Sequence, residues 1–430
     1  MKKLQYLLSF AILLFGICFI GIVLLFSSYK FTNINKIQQH AIESVAIIDS
    51  EGLYPSDYIS GTTRDNFTDY LMFRTAAYEQ QPDESNLRKA MGCYRLNAKE
   101  NMSATNVLTL TNQKQFSKLK KLDYARYWHG YLIFLKPLLV FLNYTEIRVV
   151  LLLFIFLLLS AIVVQMMRFH LKQYIVPFLL ALLSLNIQLI YKSLQYSTVI
   201  TPTLFFIYLL IKYKDKIVDT KYAFYLLFIL GTVINFFDLL TYPIVSLGFI
   251  LCFYLILSEK EKIGLFFDTF RLSLAWLFGY AGMWLMKWTA ASIILKQNIY
   301  KEALQAIVFR TATKLGDIKI TYGNVVSLNV GQISNILKFI IFVYVIKKLI
   351  EIIILLIQAT KKDSWKISWN CMIFLVIALY PFVWYFVLKN HSYIHNFFTY
   401  RNLSITVLSL LFLLQFALNA IKNTIKEENT

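Results

Sequence analysis

Apolar runs recur along the whole chain, at roughly 4–26, 147–167, 174–191, 197–211, 222–237, 239–257, 271–295, 333–357, 370–388 and 403–421. A helix needs about 20 apolar residues to cross a bilayer, and inside the bilayer each backbone polar group must be paired within the protein. The pattern therefore predicts an all-α polytopic membrane protein with about ten transmembrane helices in a single membrane domain over 1–430. Composition points the same way: 58% of the 430 residues are apolar and only 16% are charged, which lies outside the range of soluble domains. The formal charge of +19 does not read as nucleic-acid binding, because the basic residues do not cluster with the glycine or aromatic signatures of a binding module. Short basic connections beside anionic lipid account for it. Of four cysteines only Cys93 lies outside the apolar runs, so no disulfide framework is expected.

Orientation follows from those basic connections. Lys2 and Lys3, Arg168 with Lys172, Lys212 to Lys221, Lys260 with Lys262, Lys361 to Lys366, and Lys422 with Lys426 alternate consistently when all are placed inside. Both termini are then cytoplasmic, and the first run reads as an uncleaved span, since no small-residue cleavage site follows it. The polar segment 28–146 falls outside, as do Lys192 to Ser197, the corner NFFDLLTYP around Asp238, a second larger loop 296–332, and KNHSYIHNFFTYR from Lys389 to Arg401. Segment 28–146 ends in YARYWHGYLIFLKPLL, where Lys136 and Pro137 interrupt an apolar run too short to span. A re-entrant or surface-lying juxtamembrane helix is predicted there. In the 296–332 loop, KEALQAIVFRTAT predicts an amphipathic helix with Ala303 and Ile307 toward lipid.

The outward side carries the candidate chemistry. Asp65 and Asp69 stand four apart in GTTRDNFTDYLMF, a spacing that puts both on one helical face, where they can share a hydroxyl or a divalent cation such as Mg or Mn. Asp69, against the apolar YLMF, is the preferred general base and Asp65 the second, with ordinary surface acids as the alternative. His391 and His395 stand four apart before Arg401. The zinc-protease form of such a pair needs a glutamate beside the first histidine, and Ser392 stands there instead. Imidazoles and a guanidinium also suit a phosphate, or simply face water within an aromatic belt. Arg126, Trp128 and His129 either contact substrate, with Trp128 on a sugar ring and Arg126 on a phosphate, or anchor the interface. Asp238 either faces a cavity or caps the following helix, and Arg310 is a solvated cation or a further phosphate contact.

One span, a long outer loop opening on an acidic motif and closing on a juxtamembrane helix, then many spans with short outer loops, resembles the GT-C superfamily of integral-membrane glycosyltransferases. TDYLMF, YARYWHGYLIFLKPLL, NFFDLLTYP and NHSYIHNFFTYR look like motifs of a Gram-positive bacterial branch of that fold. The likeness covers most of the chain in topology and is specific only in these patches. It implies a bacterial cell-membrane enzyme, inverting in its chemistry, with an extracytoplasmic site. Such an enzyme moves a sugar from a polyprenyl-phosphate donor to a cell-envelope polysaccharide, glycolipid or protein. By the same resemblance the acid near Asp69 activates the acceptor, while His391, His395 and Arg401 hold the donor phosphate. The superfamily's usual acidic doublet is absent, since three residues separate Asp65 from Asp69. Two other readings compete: a flippase or exporter of a lipid-linked saccharide, marked by ionisable residues such as Lys287, Lys347 and Lys348 within the spans, and a membrane O-acyltransferase or O-antigen-ligase-like enzyme with a histidine base.

Overall fold

The computed structural model describes residues 2–56, 62–79, 84–98, 103–260, 263–358 and 369–428, so Lys262, Lys361, Lys362 and Lys366 of the basic connections lie outside the described residues. The chain is mostly helical with little sheet. After α1 (Lys2–Lys30) comes a lobe of α2 (Ile34–Glu51), α3 (Asn66–Ala76), α4 (Asn86–Gly92), β1 (Arg95–Ala98), α5 (Ala104–Asn112), β2 (Leu119–Leu122) and α6 (Leu132–Leu139). β1 and β2 pair antiparallel, with Arg95 opposite Leu122. Asn33 starts α2 by accepting from the Asn35 and Lys36 N–H groups, and Gly52, at φ 87°, stops it. Ile37, Ala41, Val45 and Ile48 form a helical stripe that packs with Met72, Phe73 and Trp128. The same cluster takes in Cys18 and Leu25 of α1, so the long polar segment after α1 folds as a packed helical lobe seated on the first apolar helix.

α7 (Tyr144–Arg168) opens with a reciprocal cap between Asn143 and Glu146. It is followed by α8 (Ile175–Ser184), α9 (Ile187–Ile190), α10 (Leu194–Lys212), α11 (Lys214–Ile217), α12 (Tyr222–Phe237), α13 (Ile244–Leu257) and α14 (Ile263–Leu295). Then come α15 (Ile299–Thr311), a small hairpin of β3 (Lys314–Leu315) and β4 (Ile318–Lys319), α16 (Tyr322–Gly331) and α17 (Asn335–Gln358). The chain ends with α18 (Trp369–Ala378), α19 (Tyr380–Val387), α20 (Lys389–Ile394), α21 (Asn396–Thr399) and α22 (Leu403–Glu428). α12 and α14 approach backbone to backbone: a Cβ on Gly231 would meet the Trp276 carbonyl oxygen at 2.2 Å, and one on Gly279 the Phe228 carbonyl oxygen at 2.2 Å. Glycine at both points is what lets the pair close.

Among the described residues, four stretches are long and apolar enough to cross a membrane: Leu8–Lys30, Tyr144–Arg168, Leu194–Lys212 and Asn396–Lys426. Lys172–Ser184, Tyr222–Phe237, Ile244–Leu257 and Cys371–Val387 are apolar but shorter. Several runs that look continuous in sequence are broken. The run 174–191 divides at Asn186, whose φ of 57° lies in the left-handed region. The run 239–257 starts its helix only at Ile244, after a turn held by Asp238. The run 370–388 divides between α18 and α19, where Pro381 sits in the first turn of α19.

Two expectations about helices α6 and α15 are refined. α6 buries Leu132, Leu135, Lys136 and Leu139 while leaving Phe134 exposed, so it lies on the lobe with an aromatic outward. Lys136, buried, donates to the Ala76 carbonyl at the end of α3. The amphipathic helix in 296–332 exists as α15, but Ala303 is buried and Ile307 half-buried beside Trp284 and Trp288, while Leu304, Val308 and Phe309 are exposed. The small side chains face the protein because α15 must pass close over α14.

Candidate functional site

α3 is the element that fixes the site. Glu51, at the end of α2, takes both terminal nitrogens of Arg148 at 2.6 and 2.8 Å, together with Arg64 at 3.1 Å and Asn66 at 3.0 Å. Burial pulls the Glu51 carboxyl upward, yet Arg148, Asn66 and Arg64 bring it down to about 2. This clasp ties α2 and the start of α3 to the first turn of α7.

Asp65 and Asp69 lie near each other but engage different donors. Asp65 is the N-cap of α3, with non-helical φ and ψ of −102° and 73°, so the i, i+4 rule does not reach it. Its Oδ1 accepts from the Thr68 N–H at 2.9 Å and its Oδ2 from the Thr68 hydroxyl at 2.7 Å. One further lone pair on each oxygen is left, and the side chain borders a cavity of about 190 Å³. Burial raises its pKa above the usual carboxylate range, partly offset by Thr68 and by Arg401. Asp69 is fully buried and points elsewhere. Its oxygens accept from the Leu194 N–H at 2.8 Å, the Gln195 N–H at 2.9 Å, the Ser193 hydroxyl at 3.3 Å and the Tyr144 hydroxyl. A carboxylate on the first N–H groups of α10 meets both the orphan donors and the positive end of the helix dipole. Burial, with Asp65 adding to it, pushes Asp69 up to about 6 against the Tyr144, Gln195 and Leu194 donors. Asp69, expected as the base, is committed to starting a helix.

Every connection that the charge pattern puts outside contributes to the cavity: Asp65, Thr68, Arg95, His129 and Tyr131 from 28–146, Gln195 from 192–197, Leu239 from the corner, Arg310 from 296–332, and His391 and His395 from 389–401. Arg310, in the last turn of α15, donates from Nη1 to His391 Nδ1 at 2.7 Å. That fixes the tautomer, since His391 Nε2 then carries the proton and donates to the Leu240 carbonyl at 2.9 Å. His129 is similarly held, between the Tyr131 hydroxyl at 2.9 Å and the Tyr124 carbonyl at 3.2 Å. His395 stacks on Phe398 with centroids 4.9 Å apart. Burial, with Arg310 adding to it, drives His391 well down and His395 to about 4. Burial likewise lowers His129, with Lys287 and Arg95 adding to it. The imidazoles are neutral near pH 7, so the fixed positive charge at the cavity comes from Arg310 and Arg95. Arg95, which sequence reasoning did not single out, rests its guanidinium over the Tyr124 ring at 4.8 Å, and its Nε has no partner among the described residues.

The remaining candidates stand behind the walls. Trp128 is buried, with its indole N–H on the Met283 carbonyl at 2.8 Å, so it packs the lobe and stacks on no ligand. Arg126 pairs with Glu302 and takes the Tyr124 hydroxyl at 3.1 Å, joining the lobe to α15. Asp238 accepts the Thr241 N–H at 2.9 Å and the Thr241 hydroxyl, so it holds the turn before α13; it does not cap that helix, whose N-cap is Pro243, and it is not among the residues lining the cavity. Arg401 is buried, stacked 3.8 Å over the Tyr196 ring with Nη1 on the Phe397 carbonyl, and acts on the site through its charge near Asp65. Among the described residues, no group of three or more His, Cys, Asp or Glu side chains comes together to hold a metal ion. The donors that border the cavity are the Asp65 carboxylate and three imidazoles, of which His129 and His391 have both nitrogens engaged.

The chain matches no family model, no curated protein and no solved structure. Its chemistry is therefore argued from the cavity itself: one partly unengaged carboxylate, two arginines and three neutral imidazoles under an aromatic rim.

Proposed function

We propose that the chain is a membrane glycosyltransferase that moves a sugar from a polyprenyl-phosphate donor to a cell-envelope acceptor. The observation that carries the reading is the convergence of Asp65 with Arg95 and Arg310 on one cavity, at the ends of helices apolar enough to lie in a bilayer. Asp65 takes the proton of the acceptor hydroxyl, whose oxygen forms the new bond to the anomeric carbon. The bond from that carbon to the phosphate oxygen breaks, and the electron pair leaves with the phosphate. Arg95 and Arg310 stabilise that developing charge, and in a water-poor cavity fixed cations do so far better than in bulk water. Attack and departure on opposite faces of the sugar invert the anomeric centre. No step is routed through a metal ion. In this reading the four shorter apolar helices, with α14 and α17, complete about ten crossings, with both termini cytoplasmic and the cavity outside. The resemblance to the GT-C superfamily supports the same assignment, with Asp65 in place of Asp69.

The competing readings have less support. An exporter calls for free ionisable groups along the spans, whereas Lys287 donates to the Met91 carbonyl at 2.9 Å and Lys348 pairs with Glu351 at 2.9 Å, which leaves Lys347, exposed on α17, as the exporter's remaining mark. An acyltransferase calls for a histidine base, whereas both His391 nitrogens are engaged and His395 lies stacked on Phe398. Transfer of radiolabelled sugar from synthetic polyprenyl-phosphate sugars by the purified protein tests the proposal. Turnover lost in Asp65→Asn and kept in His395→Gln is expected; the opposite pattern overturns it.

A further inference from the structure

Gln195 is the second residue of α10, and its backbone N–H is held by Asp69 at 2.9 Å, so its position is fixed by the helix start rather than by its own side chain. The side chain lines the cavity, yet the residue is only 3% exposed, and its Oε1 has no hydrogen-bond partner among the described residues. A buried amide acceptor left unmet is costly, and natural proteins rarely keep one without a use. The neighbouring acid points to the use. Asp65 is also an acceptor with lone pairs to spare, while the guanidinium groups bordering the same space, Arg95 and Arg310, are donors only. A ligand that satisfies all four carries an anionic group together with more than one hydroxyl.

We infer that Gln195 is a specificity-determining residue that accepts a hydrogen bond from one hydroxyl of the transferred sugar, distinct from the acceptor hydroxyl that Asp65 deprotonates. The inference rests on the proposed glycosyl transfer and deepens it: the donor sugar must present a free hydroxyl to Gln195, and a sugar lacking it is rejected. A site built around a buried acceptor discriminates strongly against a ligand without the matching donor, because the acceptor is then stranded away from water.

The test uses the full-length protein in detergent with a hexose linked to a short synthetic prenyl phosphate, and with the four singly deoxygenated versions of that hexose. Binding is measured by calorimetry and transfer by radiolabel, for wild type, Gln195→Leu and Gln195→Glu, each checked for an unchanged melting temperature. In wild type, one deoxy position is expected to weaken binding by about 10- to 100-fold. That loss disappears in Gln195→Leu and persists in Gln195→Glu, which keeps an acceptor at the same place. If Gln195→Leu does not fold, Gln195→Glu with Gln195→Asn, whose shorter arm withdraws the acceptor, carries the same comparison. Equal binding of all four deoxy sugars by wild type, or a deoxy penalty unchanged when the acceptor is withdrawn, overturns the inference while leaving glycosyl transfer standing. Hydroxyl-selective binding without any transfer sinks the enzymatic reading and leaves the role of Gln195 intact. Absence of binding by every hexose tested overturns both.

Discussion

Replacing Asp69 by Asn separates a helix-starting carboxylate from a catalytic one. The side chain meets four donors, two on each oxygen: Leu194 N–H with the Tyr144 hydroxyl, and Gln195 N–H with the Ser193 hydroxyl. Asparagine keeps one acceptor oxygen and turns an NH2 toward the other pair. Tyr144 already has a second acceptor in the Lys192 carbonyl at 2.9 Å, and the Ser193 hydroxyl can rotate, so the uncompensated loss is one backbone N–H in a dry site. That costs about 1–3 kcal/mol. Loss of the anion at the start of α10 adds roughly 1 kcal/mol. Relief from burying a charge, which already pushes the carboxyl up to about 6, returns part of it. The net is a destabilisation of about 2–3 kcal/mol, read as a lower melting temperature of the detergent-solubilised protein and faster amide exchange in the first turn of α10. Asp65→Asn contrasts with it, because Asn and Asp are equally good N-caps, so its fold should melt within a degree or so of wild type while turnover is lost. An Asp69→Asn protein that melts like wild type but has no activity would refute this assignment.

Further outcomes follow from the same geometry. Because burial holds Asp65 above the ordinary carboxylate range, kcat/KM should fall with decreasing pH at a value above the ~3.9 of a free aspartate; a limb at the free value would contradict the burial. His395, at about 4, stays neutral from pH 5 to 8, so His395→Gln should leave that limb in place. Arg310→Gln should raise KM for the donor by about 10- to 100-fold with little change in melting temperature, since a charge-assisted contact to phosphate is lost and no ion pair is broken. Glu51 has a depressed folded-state pKa, about 2, so its stabilisation is present above the unfolded value near ~4.3 and is lost as pH falls toward 2. Glu51→Gln should therefore cost about 2 kcal/mol at pH 7, a figure reduced for a side chain one-quarter exposed, and almost nothing near pH 2 in equilibrium unfolding.

Helical character and the grouping of five connections around one cavity were legible, because apolar length and basic residues at helix ends are one-dimensional signals. The convergence of Asp65, His129, Arg310, His391 and His395 followed from that grouping. The choice between the two acids was not legible. Spacing four apart implies a shared face only inside a helix, and nothing in TRDNFTDY alone tells the N-cap Asp65 from Asp69 one turn later. Asp69 finds its partners 125 residues away, at a helix start that no local pattern links to it. Arg95 escaped notice because it lies in a short strand whose partner is β2, with no motif around it. Gln195 had one usable signal: a polar residue in a very short outer connection. Trp128 and Arg126 look like ligand contacts by composition, but the lobe needs them for its own packing against α14 and α15.

The most direct test is sugar transfer from a panel of radiolabelled polyprenyl-phosphate hexoses by wild type, Asp65→Asn and Asp69→Asn, each assayed at the same folded concentration and with and without a chelator. The account predicts chelator-insensitive turnover in wild type, none in Asp65→Asn, and substantial turnover per folded molecule in Asp69→Asn. Transfer that survives Asp65→Asn but not Asp69→Asn, or no transfer from any donor while the protein moves the intact lipid across vesicles, would contradict it.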